Sequence, residues 1–543
     1  MEAVQSDDGK LSGLAFSAQP GKSILIWIAS EQTLRGIRDL FSDPAILKVG
    51  HNLKAALLLL KQERITIEGP LFDTMIAHYL VEPESAHDLN TLASFYLNTE
   101  LQNEANSAES IAAQRADIAL QLKSKLEKDL TTRGHTKLMT DVEMPLVEVL
   151  AAMEHEGVNL DFDALSLMSE DLKKSSEKVQ NEIFKLANGE FNINSPKQLG
   201  ELLFEKLKLG DKPKKTKTGQ YATGEDVLLK LAHEHEIVQK ILDFREYEKL
   251  RSTYVDALPK LISPRDGRIH TDYRQAVAAT GRLSSNNPNL QNIPIRTEKG
   301  RQIRKAFIPR DKNYVFMSAD YSQIELRIAA SFARDETMIE AFMSKRDIHT
   351  TTAAKVFKVP IDKVTPDMRR KAKEVNFGIL YGSTAFGLSQ NLNIPRSEAS
   401  EIIQSYFQEF PAIKRYMDSS ILKAREQEYV ETILGRRRYL RDINSRNIAT
   451  RGFAERNAIN APIQGSAADI IKVAMVNIYR WLQKERLKTK MIMQVHDELV
   501  FDLHKNEVDA VKETVVQLMK NAVQLEVPME VEVGIGNNWL EAH

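Results

Sequence analysis

Two apolar, strand-like runs flank three polar residues in the segment Lys490–Leu503, which reads KMIMQVHDELVFDL. The runs are Lys490–Val495 and Leu499–Leu503, and both have the length and composition of β-strands. The polar residues between them are His496-Asp497-Glu498. The segment therefore predicts a β-hairpin that carries two carboxylates at its tip.

A further candidate carboxylate, Asp320, follows the apolar run Tyr314–Ala319, which predicts a strand. The residues after it predict a helix, so Asp320 is expected at an exposed strand end. Mg²⁺ takes oxygen ligands, typically one or two carboxylates together with substrate phosphates and water. Asp320 and Asp497 could thus hold two ions about 3.5–4 Å apart for an in-line phosphoryl transfer. Since 177 positions separate them, spacing alone favours two unrelated surface aspartates.

The segment Pro366–Tyr381 predicts a helix with one functional face. Four side chains repeat every four residues along it: Arg369, Lys373, Phe377 and Tyr381. Cations near the helix N-terminus suit a triphosphate, and the aromatic rings further along suit a base. Gly378 and Gly382 favour close approach by another group. An amphipathic helix with aromatic core residues is an equal alternative.

Other elements are predicted from periodicity along the chain. Ser23–Ile28 predicts a strand, and helices are predicted for Leu53–Gln62, Asp163–Ala187, Gly224–Ile262 and Arg396–Glu428.

The composition is that of a globular protein of several domains. The chain has 543 residues, of which 42% are hydrophobic and 27% charged. Lys and Arg total 74 against 75 acids, a balance that neither supports nor excludes nucleic acid. The absence of cysteine excludes disulfides and cysteine nucleophiles and favours a reducing cytosol. The sequence has no secretion signal and no apolar stretch of about 18 residues, so we expect a soluble protein with no membrane partner.

Three segments resemble the signature motifs of the family A DNA polymerases, in order and with suitable spacing. They are Asp320–Arg327 (DYSQIELR), Arg369–Gly382 (RRKAKEVNFGILYG) and Gln494–Glu498 (QVHDE). Further matches are Thr280–Ser285 (TGRLSS), Asn289–Pro294 (NLQNIP) and Asn460–Asp469 (NAPIQGSAAD). The resemblance runs from about residue 10 and is to the large fragments of the bacterial polymerase I type, without the 5′ nuclease domain that commonly precedes them.

The resemblance implies a role for each matching side chain. Two Mg²⁺ ions, for which Mn²⁺ can substitute, would be bound by Asp320, Asp497 and the Tyr321 carbonyl, with Glu498 close by.

A deoxynucleoside triphosphate would be bound by Arg369, Lys373, His349 and Gln323. Phe377 would stack on the nucleotide, Tyr381 would lie beside the template base, and Glu325 would crowd the 2′ position of the sugar. Lys373 is also implied as a general acid toward pyrophosphate. The minor groove of primer-template DNA would be contacted by Arg282, Arg456, Asn460, Gln464 and His496.

Family members with Phe at the position of Phe377 generally reject dideoxynucleotides, so the resemblance implies strong discrimination here. A polar loop, Gly210–Gly219, could add phosphate contacts through Lys214, Lys215 and Lys217. A short charge run is, however, usually solvated surface.

The N-terminal part resembles a 3′–5′ proofreading exonuclease that lacks its carboxylates. The family's catalytic Asp corresponds to Ala56, a further acid to Arg115 and the family's Tyr to Ile111. The chain begins within the first exonuclease motif, where Glu2 is the remaining acid. Because this chemistry needs a carboxylate cluster for two metals, we expect no proofreading.

The expected architecture combines α/β and α+β domains: a right-hand polymerase with an N-terminal RNase H-like exonuclease-type domain. The expected domains are 1–135 exonuclease-like, 136–267 connecting helix and thumb, 268–347 palm, 348–455 fingers and 456–543 palm again.

The expected function is DNA-templated primer extension in replication gap filling and repair. We expect a monomer in the bacterial cytosol, associated with the nucleoid, whose partners are primer-template DNA and deoxynucleoside triphosphates. A catalytically inactive DNA-binding scaffold and a metal-dependent nuclease are the alternatives, although a nuclease would leave the stripe from Arg369 to Tyr381 without a role.

Two further features have simpler interpretations. His233 and His235 lie two apart on a predicted helix and so on different faces, which argues against metal ligation. The run Arg436-Arg437-Arg438 is interpreted as solvated surface or as a phosphate contact.

Overall fold

The computed structural model describes residues 1–6, 9–101, 108–210, 214–216, 219–295 and 297–543, which form two compact units. The first unit comprises Met1–Gly157, Thr271–Asn286 and Met317–Gly534. The second comprises Val158–His270, Asn287–Phe316 and Ile535–His543. All predicted site residues except the loop lysines therefore belong to the first unit. In the described ranges, no helix combines the length and apolar character that crossing a membrane requires.

The N-terminal part of the first unit is an α/β assembly. Its antiparallel sheet contains the strands Glu2–Gln5, Leu11–Gln19 and Lys22–Trp27, and Lys48–Gly50 pairs in parallel with Leu71–Asp73. The helices are Glu31–Ser42, Leu53–Gln62, Thr74–Val81, Leu89–Leu97 and Ala108–Arg133. They bury an apolar core that includes Phe41, Leu60 and Leu122. The predicted strand and helix in this part are confirmed.

A four-stranded sheet carries the acidic motifs. Its strand order is Lys490–Val495, Glu498–His504, Tyr314–Tyr321 and Val531–Gly536. The first two strands form the predicted hairpin, hereafter the acidic hairpin, in which Val495 pairs with Glu498. His496 turns the chain there with a φ of 56°.

Helices make up most of the remainder of the first unit. Before the acidic motifs lie Thr136–Leu138, the π-helical turn Met139–Glu143 and Met144–Glu156. After the first motif come Ile324–Ala333, Glu336–Met343, Ile348–Val356, Pro366–Leu380, Ala385–Leu392, Arg396–Glu409, Pro411–Gln427, Ile448–Lys484 and Val508–Lys520. Short antiparallel pairs join Tyr429–Glu431 with Arg437–Tyr439 and Asp272–Arg274 with Ser284–Asn286. Below, Pro366–Leu380 is called the motif helix and Ile448–Lys484 the long helix.

The predicted single helix Arg396–Glu428 is wrong, because the structure has two helices that meet at Phe410 and Pro411. Proline has no backbone N–H and restricts the residue before it to extended conformations. Phe410 accordingly leaves the helical region with a φ of −124° and a ψ of 62°. Pro411 then occupies the first turn of the second helix, where a missing N–H costs nothing.

The second unit is mainly helical. Its helices are Phe162–Ala187, Pro196–Gly200, Glu225–Leu231, Glu236–Lys249, Glu298–Gln302 and Trp539–Ala542, and Asn159–Leu160 pairs with Phe307–Ile308. Its core contains Ile183, Leu199, Leu228 and Ile241.

The predicted helix Gly224–Ile262 is interrupted by a turn that contains His233, so the assignment of His233 and His235 to a helix is wrong. His235 instead caps the next helix, where its Nδ1 accepts a hydrogen bond from the Ile237 amide at 3.1 Å. In the polar loop, Lys214 and Lys215 are exposed, and Lys217 lies outside the described residues.

Candidate active site

Two distant aspartates are brought together on neighbouring strands. Asp320 is the penultimate residue of Tyr314–Tyr321, and Asp497 lies in the turn of the acidic hairpin. The Tyr321 amide donates to the Asp497 carbonyl at 3.3 Å. The two residues are therefore not unrelated surface aspartates, as spacing alone had suggested.

The side chains next to these aspartates are fixed by buried hydrogen bonds. Ser318 Oγ donates to Glu498 Oε1 at 2.6 Å, which holds that carboxylate within the sheet. The Tyr321 hydroxyl donates to the Met519 carbonyl at 2.7 Å, deep in the core. Tyr321 can therefore offer a metal ion only its backbone carbonyl.

The electrostatic surroundings of Asp497 favour a bound cation. Burial raises the pKa of Asp497, and the Glu325 carboxylate raises it further, whereas His496 and Arg282 oppose the rise. A divalent cation would stabilise the carboxylate against this burial. Two aspartates and one carbonyl fit Mg²⁺, which completes its shell with phosphate oxygens and water. The described residues contain no group of three or more His, Asp or Glu side chains placed to hold a metal.

Glu325 bonds to side chains from two separate segments of the chain. Its Oε1 accepts from Arg282 Nη2 at 2.5 Å, and its Oε2 accepts from the Tyr381 hydroxyl at 2.7 Å. Gln323, with a φ of 56°, starts the helix on which Glu325 lies. The carboxylate thus fixes two side chains that the sequence had assigned separately to DNA and to the template base.

The motif helix presents the predicted stripe on its accessible face. Arg369 is held by two hydrogen bonds to Asp347, at 3.1 and 2.8 Å. Although burial opposes it, hydrogen bonds from Arg369 and Thr350 lower the pKa of Asp347 to about 2. Lys373 is exposed and Phe377 is half-buried, with its ring 6.3 Å from that of Tyr381. The alternative of aromatic core residues is therefore wrong for this face.

His349 faces the same helix as a neutral imidazole. The side-chain amide of Asn376 accepts from Thr352 Oγ1 at 3.1 Å and lies 3.0 Å from His349 Nδ1. Since the Asn376 oxygen accepts from Thr352, its nitrogen donates to Nδ1, and the imidazole proton lies on Nε2. Burial lowers the pKa of His349 to about 4; Arg369 and Lys373 contribute, and Asp347 opposes them.

The long helix places Arg456, Asn460 and Gln464 four residues apart on one face. A Cβ at Gly382, where φ is +68°, would lie 2.7 Å from Arg456 Cγ, so the predicted close approach at Gly382 is confirmed. At Gly378 a Cβ would meet Ser383 and Leu388 at ordinary van der Waals distances of 3.5 to 3.9 Å, so the same prediction there is wrong.

The polar groups of this face are incompletely satisfied within the protein. The buried Oδ1 of Asn460 has no hydrogen-bond partner among the described residues. Buried polar atoms normally have a partner, so this atom is suited to a ligand. His496 is exposed at the tip of the acidic hairpin.

The exonuclease-like part has an ion pair where the family has acids. Arg115 Nε donates to Glu2 Oε1 at 2.6 Å, and Ala56 is buried. The nearby Asp73 is engaged by the amides of Asn52 and Leu53 and by the helix that it caps. Glu2 and Asp73 are therefore both engaged by other groups of the protein.

Sequence reasoning missed several supporting residues. Asp347 orients Arg369, and Asn376 orients His349. The Asp-x-x-Thr pattern at 347–350 is a helix-capping signal, and Asp347 indeed caps Ile348–Val356. Nothing in the sequence around Asp347 indicates its second role, which is to hold Arg369.

Two family models match successive parts of the chain. Residues 162–541 match the family model described as DNA polymerase family A, and residues 2–130 match the one described as 3'-5' exonuclease. DNA polymerase I of Geobacillus stearothermophilus is 46% identical over 505 residues, which cover 90% of this chain and 57% of that relative. DNA polymerase I of Pseudomonas aeruginosa is 42% identical over 574 residues, covering 100% of this chain and 63% of the relative.

The chain thus spans about three fifths of the length of these relatives. A solved structure, described as the POL domain of Pol1 from M. smegmatis in complex with DNA primer-template and dNTP, has a TM-score of 0.94 to this chain. The two are 39% identical, and the match covers 99% of this chain and 95% of the other. Since the polymerase model matches well over half of its residues, the chain belongs to DNA polymerase family A.

Proposed function

We propose that this protein is a DNA-templated DNA polymerase that extends a primer 3′ end with deoxynucleoside triphosphates. The observation that carries the proposal is the placement of Asp320 at the end of one strand beside Asp497 in the turn of the neighbouring hairpin. Glu325, whose charge acts on Asp497, links this site to Tyr381 at the end of the motif helix. The names of the relatives, and the primer-template and dNTP bound in the structural neighbour, support the same function.

In this proposal Asp320, Asp497 and the Tyr321 carbonyl hold two Mg²⁺ ions, or Mn²⁺ in their place. Bound there, the ions supply activation of the primer 3′ oxygen and charge neutralisation at the leaving pyrophosphate. Glu498 stays within the sheet and supports the hairpin that carries Asp497.

The triphosphate is oriented by groups along the motif helix. Arg369, preset by Asp347, and the exposed Lys373 meet the phosphates, and His349 donates from Nε2 without adding charge. Gln323 completes this set, and Lys373 delivers a proton to the departing pyrophosphate. Phe377 packs on the nucleotide.

Primer-template DNA is held in the minor groove by Arg282, Arg456, Asn460, Gln464 and His496. Every correct base pair presents acceptors there, so these donors can check pair geometry without reading sequence. Lys214, Lys215 and Lys217 of the polar loop add phosphate contacts, and Glu325 excludes a 2′-hydroxyl. We further propose the right-hand division into palm, fingers and thumb, monomeric action, and use in gap filling and repair.

Primer extension by the parent protein with Mg²⁺ and the four deoxynucleotides tests the function. Products should follow the template base by base. Intact primer-template binding without any extension would instead identify a DNA-binding scaffold, and shortening of the DNA alone would identify a nuclease.

Phe377 should make the protein discriminate against dideoxynucleotides by at least about 100-fold, because a phenyl ring cannot replace the hydrogen bonding of a missing 3′-hydroxyl. A competition between deoxy and dideoxy substrates measures the ratio. Phe377→Tyr should reduce it by about tenfold or more, whereas Phe386→Tyr, the same change on an exposed residue of the next helix, should not. Equal use of both substrates by the parent would contradict the proposal.

The exonuclease-like part should not trim DNA, because its Glu2 is paired with Arg115 and Ala56 offers no ligand. A mismatched, 3′-labelled primer incubated with the Asp320→Ala variant separates trimming from polymerisation. The label should remain on the primer as in a protein-free control. Metal-dependent release of the label by this variant would show that other residues have taken over hydrolysis.

A further inference from the structure

Arg282, whose guanidinium pairs with Glu325, lies on an irregular loop whose backbone has no helix or strand to fix it. Strands Asp272–Arg274 and Ser284–Asn286 pair antiparallel and are joined by residues 275–283, which contain no helix or strand. We call residues 272–286 the Arg282 hairpin. A loop of this length needs external contacts to hold one conformation.

The exonuclease-like part supplies a contact to the middle of this loop. Tyr79, on the helix Thr74–Val81, is almost fully buried, and its hydroxyl donates to the Ala278 carbonyl at 2.7 Å. The Gly281 amide, one residue before Arg282, donates to the same Ala278 carbonyl at 2.9 Å. The Tyr79 hydroxyl thus binds the carbonyl that closes the turn before Arg282.

The base of the Arg282 hairpin is held from the same part of the chain. Lys54 Nζ donates to Asp272 Oδ1 at 2.6 Å and to the Tyr273 carbonyl at 2.5 Å. It also pairs with Glu154, 2.5 Å away, and Glu154 accepts from the Tyr273 amide at 2.7 Å. Lys54 lies on the helix Leu53–Gln62, two residues before Ala56. Ala56 is the position that corresponds to the family's catalytic Asp.

A buried cluster of charged side chains binds the Arg282 hairpin through Gln275. Gln275 Nε2 donates to Glu143 Oε2 at 2.7 Å. Glu143 also pairs with Arg436 and, at 2.7 Å, with Lys472, and Arg436 donates to Asp469 at 2.8 and 2.9 Å.

The cluster leaves no space around Gly281, because a Cβ at this position would lie 2.5 Å from Arg436 Nε. With a φ of +85°, this position also requires glycine for conformational reasons. The loop therefore packs directly against Arg436 at Gly281.

We infer that the exonuclease-like part, through Tyr79 and Lys54, positions Arg282 for its contact with the primer terminus. This inference rests on the proposed polymerase function. It gives the part a role that does not depend on its missing carboxylates: it sets how strictly the terminal base pair is checked. Tyr79 is a positioning residue, since it acts only through the loop that carries Arg282.

The test is Tyr79→Phe, which removes one hydroxyl and conserves the buried ring. The matched control is Tyr96→Phe, which removes a hydroxyl that donates to Asp129 at 2.9 Å within the same part and not to the Arg282 hairpin. For each protein, kcat/KM is measured for primers with matched and mismatched 3′ ends, together with the thermal unfolding midpoint.

We expect Tyr79→Phe to lower matched extension about fivefold, the effect of one lost hydrogen bond. Mismatched extension should change little, because a mismatch already displaces the acceptor that Arg282 contacts. The matched-to-mismatched ratio should thus fall about fivefold and should stay at the parent value in Tyr96→Phe. In an Arg282→Ala background, Tyr79→Phe should have no further effect on the ratio.

An unchanged ratio in Tyr79→Phe, whatever the shift in unfolding midpoint, would overturn the inference and leave Tyr79 as a stabilising contact. A full additional effect in the Arg282→Ala background would also overturn it. Failure of the parent protein to extend any primer would instead refute the proposed function, so the two failures are distinguishable.

Discussion

Asp497→Ala is expected to lower template-directed primer extension by at least about 1,000-fold. A carboxylate that helps to hold catalytic metal contributes several kcal/mol of transition-state stabilisation, and about 4 kcal/mol corresponds to this factor. Primer-template affinity should change little, because the proposed DNA contacts come from other side chains. The measurement is single-turnover incorporation of one nucleotide, with affinity determined separately.

The same variant should unfold at a temperature no lower than that of the parent. Burial and Glu325 raise the pKa of Asp497, which means that the folded protein disfavours the charged form, so removing the carboxylate relieves an unfavourable interaction. Asp509→Ala, on the exposed face of Val508–Lys520, is the matched control and should extend primers like the parent. Substantial extension by Asp497→Ala would place the chemistry elsewhere.

Arg436→Met is expected to lower the free energy of unfolding of the first unit by about 3–5 kcal/mol. The guanidinium is buried between Glu143 and Asp469, and its loss leaves two buried carboxylates with Lys472 as their cationic partner. The shift is measured by urea denaturation followed by tryptophan fluorescence and circular dichroism.

Arg437→Met provides the matched control for this prediction. Its guanidinium is partly exposed and pairs with Glu431, 2.8 Å away, so its removal should cost at most about 1 kcal/mol. The double variant Arg436→Met with Asp469→Leu should recover part of the loss, because it restores the charge balance around Glu143. Equal effects of Arg436→Met and Arg437→Met would show that the buried cluster contributes no more than a surface ion pair.

The contrast between these two arginines shows where the sequence stops being informative. The run Arg436-Arg437-Arg438 predicts one surface or phosphate-binding feature, and for Arg436 this prediction is wrong because its side chain is buried. Its partners Glu143 and Asp469 lie 293 and 33 positions away. No local pattern distinguishes the buried Arg436 from the partly exposed Arg437, because the charges that compensate Arg436 come from other parts of the chain.

Local patterns were sufficient where the determining interactions are themselves local. The helix Leu53–Gln62 and the acidic hairpin were predicted because apolar periodicity and turn residues define them within a few positions. The apolar periodicity continues across Phe410, so periodicity alone predicts a single helix there. Pro411 is the residue that indicates the break.

The candidate site was predictable in its residue types but not in its assembly. Spacing could not bring Asp320 beside Asp497, since their proximity depends on strand order in the sheet. The resemblance to a known family supplied the roles. The supporting contacts of Asp347 and Asn376 emerged only from the packing of Ile348–Val356 beside the motif helix.

The lowered pKa of His349 makes the stability of the protein depend on pH in acid. Its pKa of about 4 lies below the ordinary value of 6.5, so the unfolded chain binds a proton on this imidazole at a pH where the folded chain does not. Its contribution to stability is complete above pH 6.5 and declines as the pH falls toward 4. Mild acidification therefore weakens the fold while the charge offered to an incoming triphosphate by this residue stays constant.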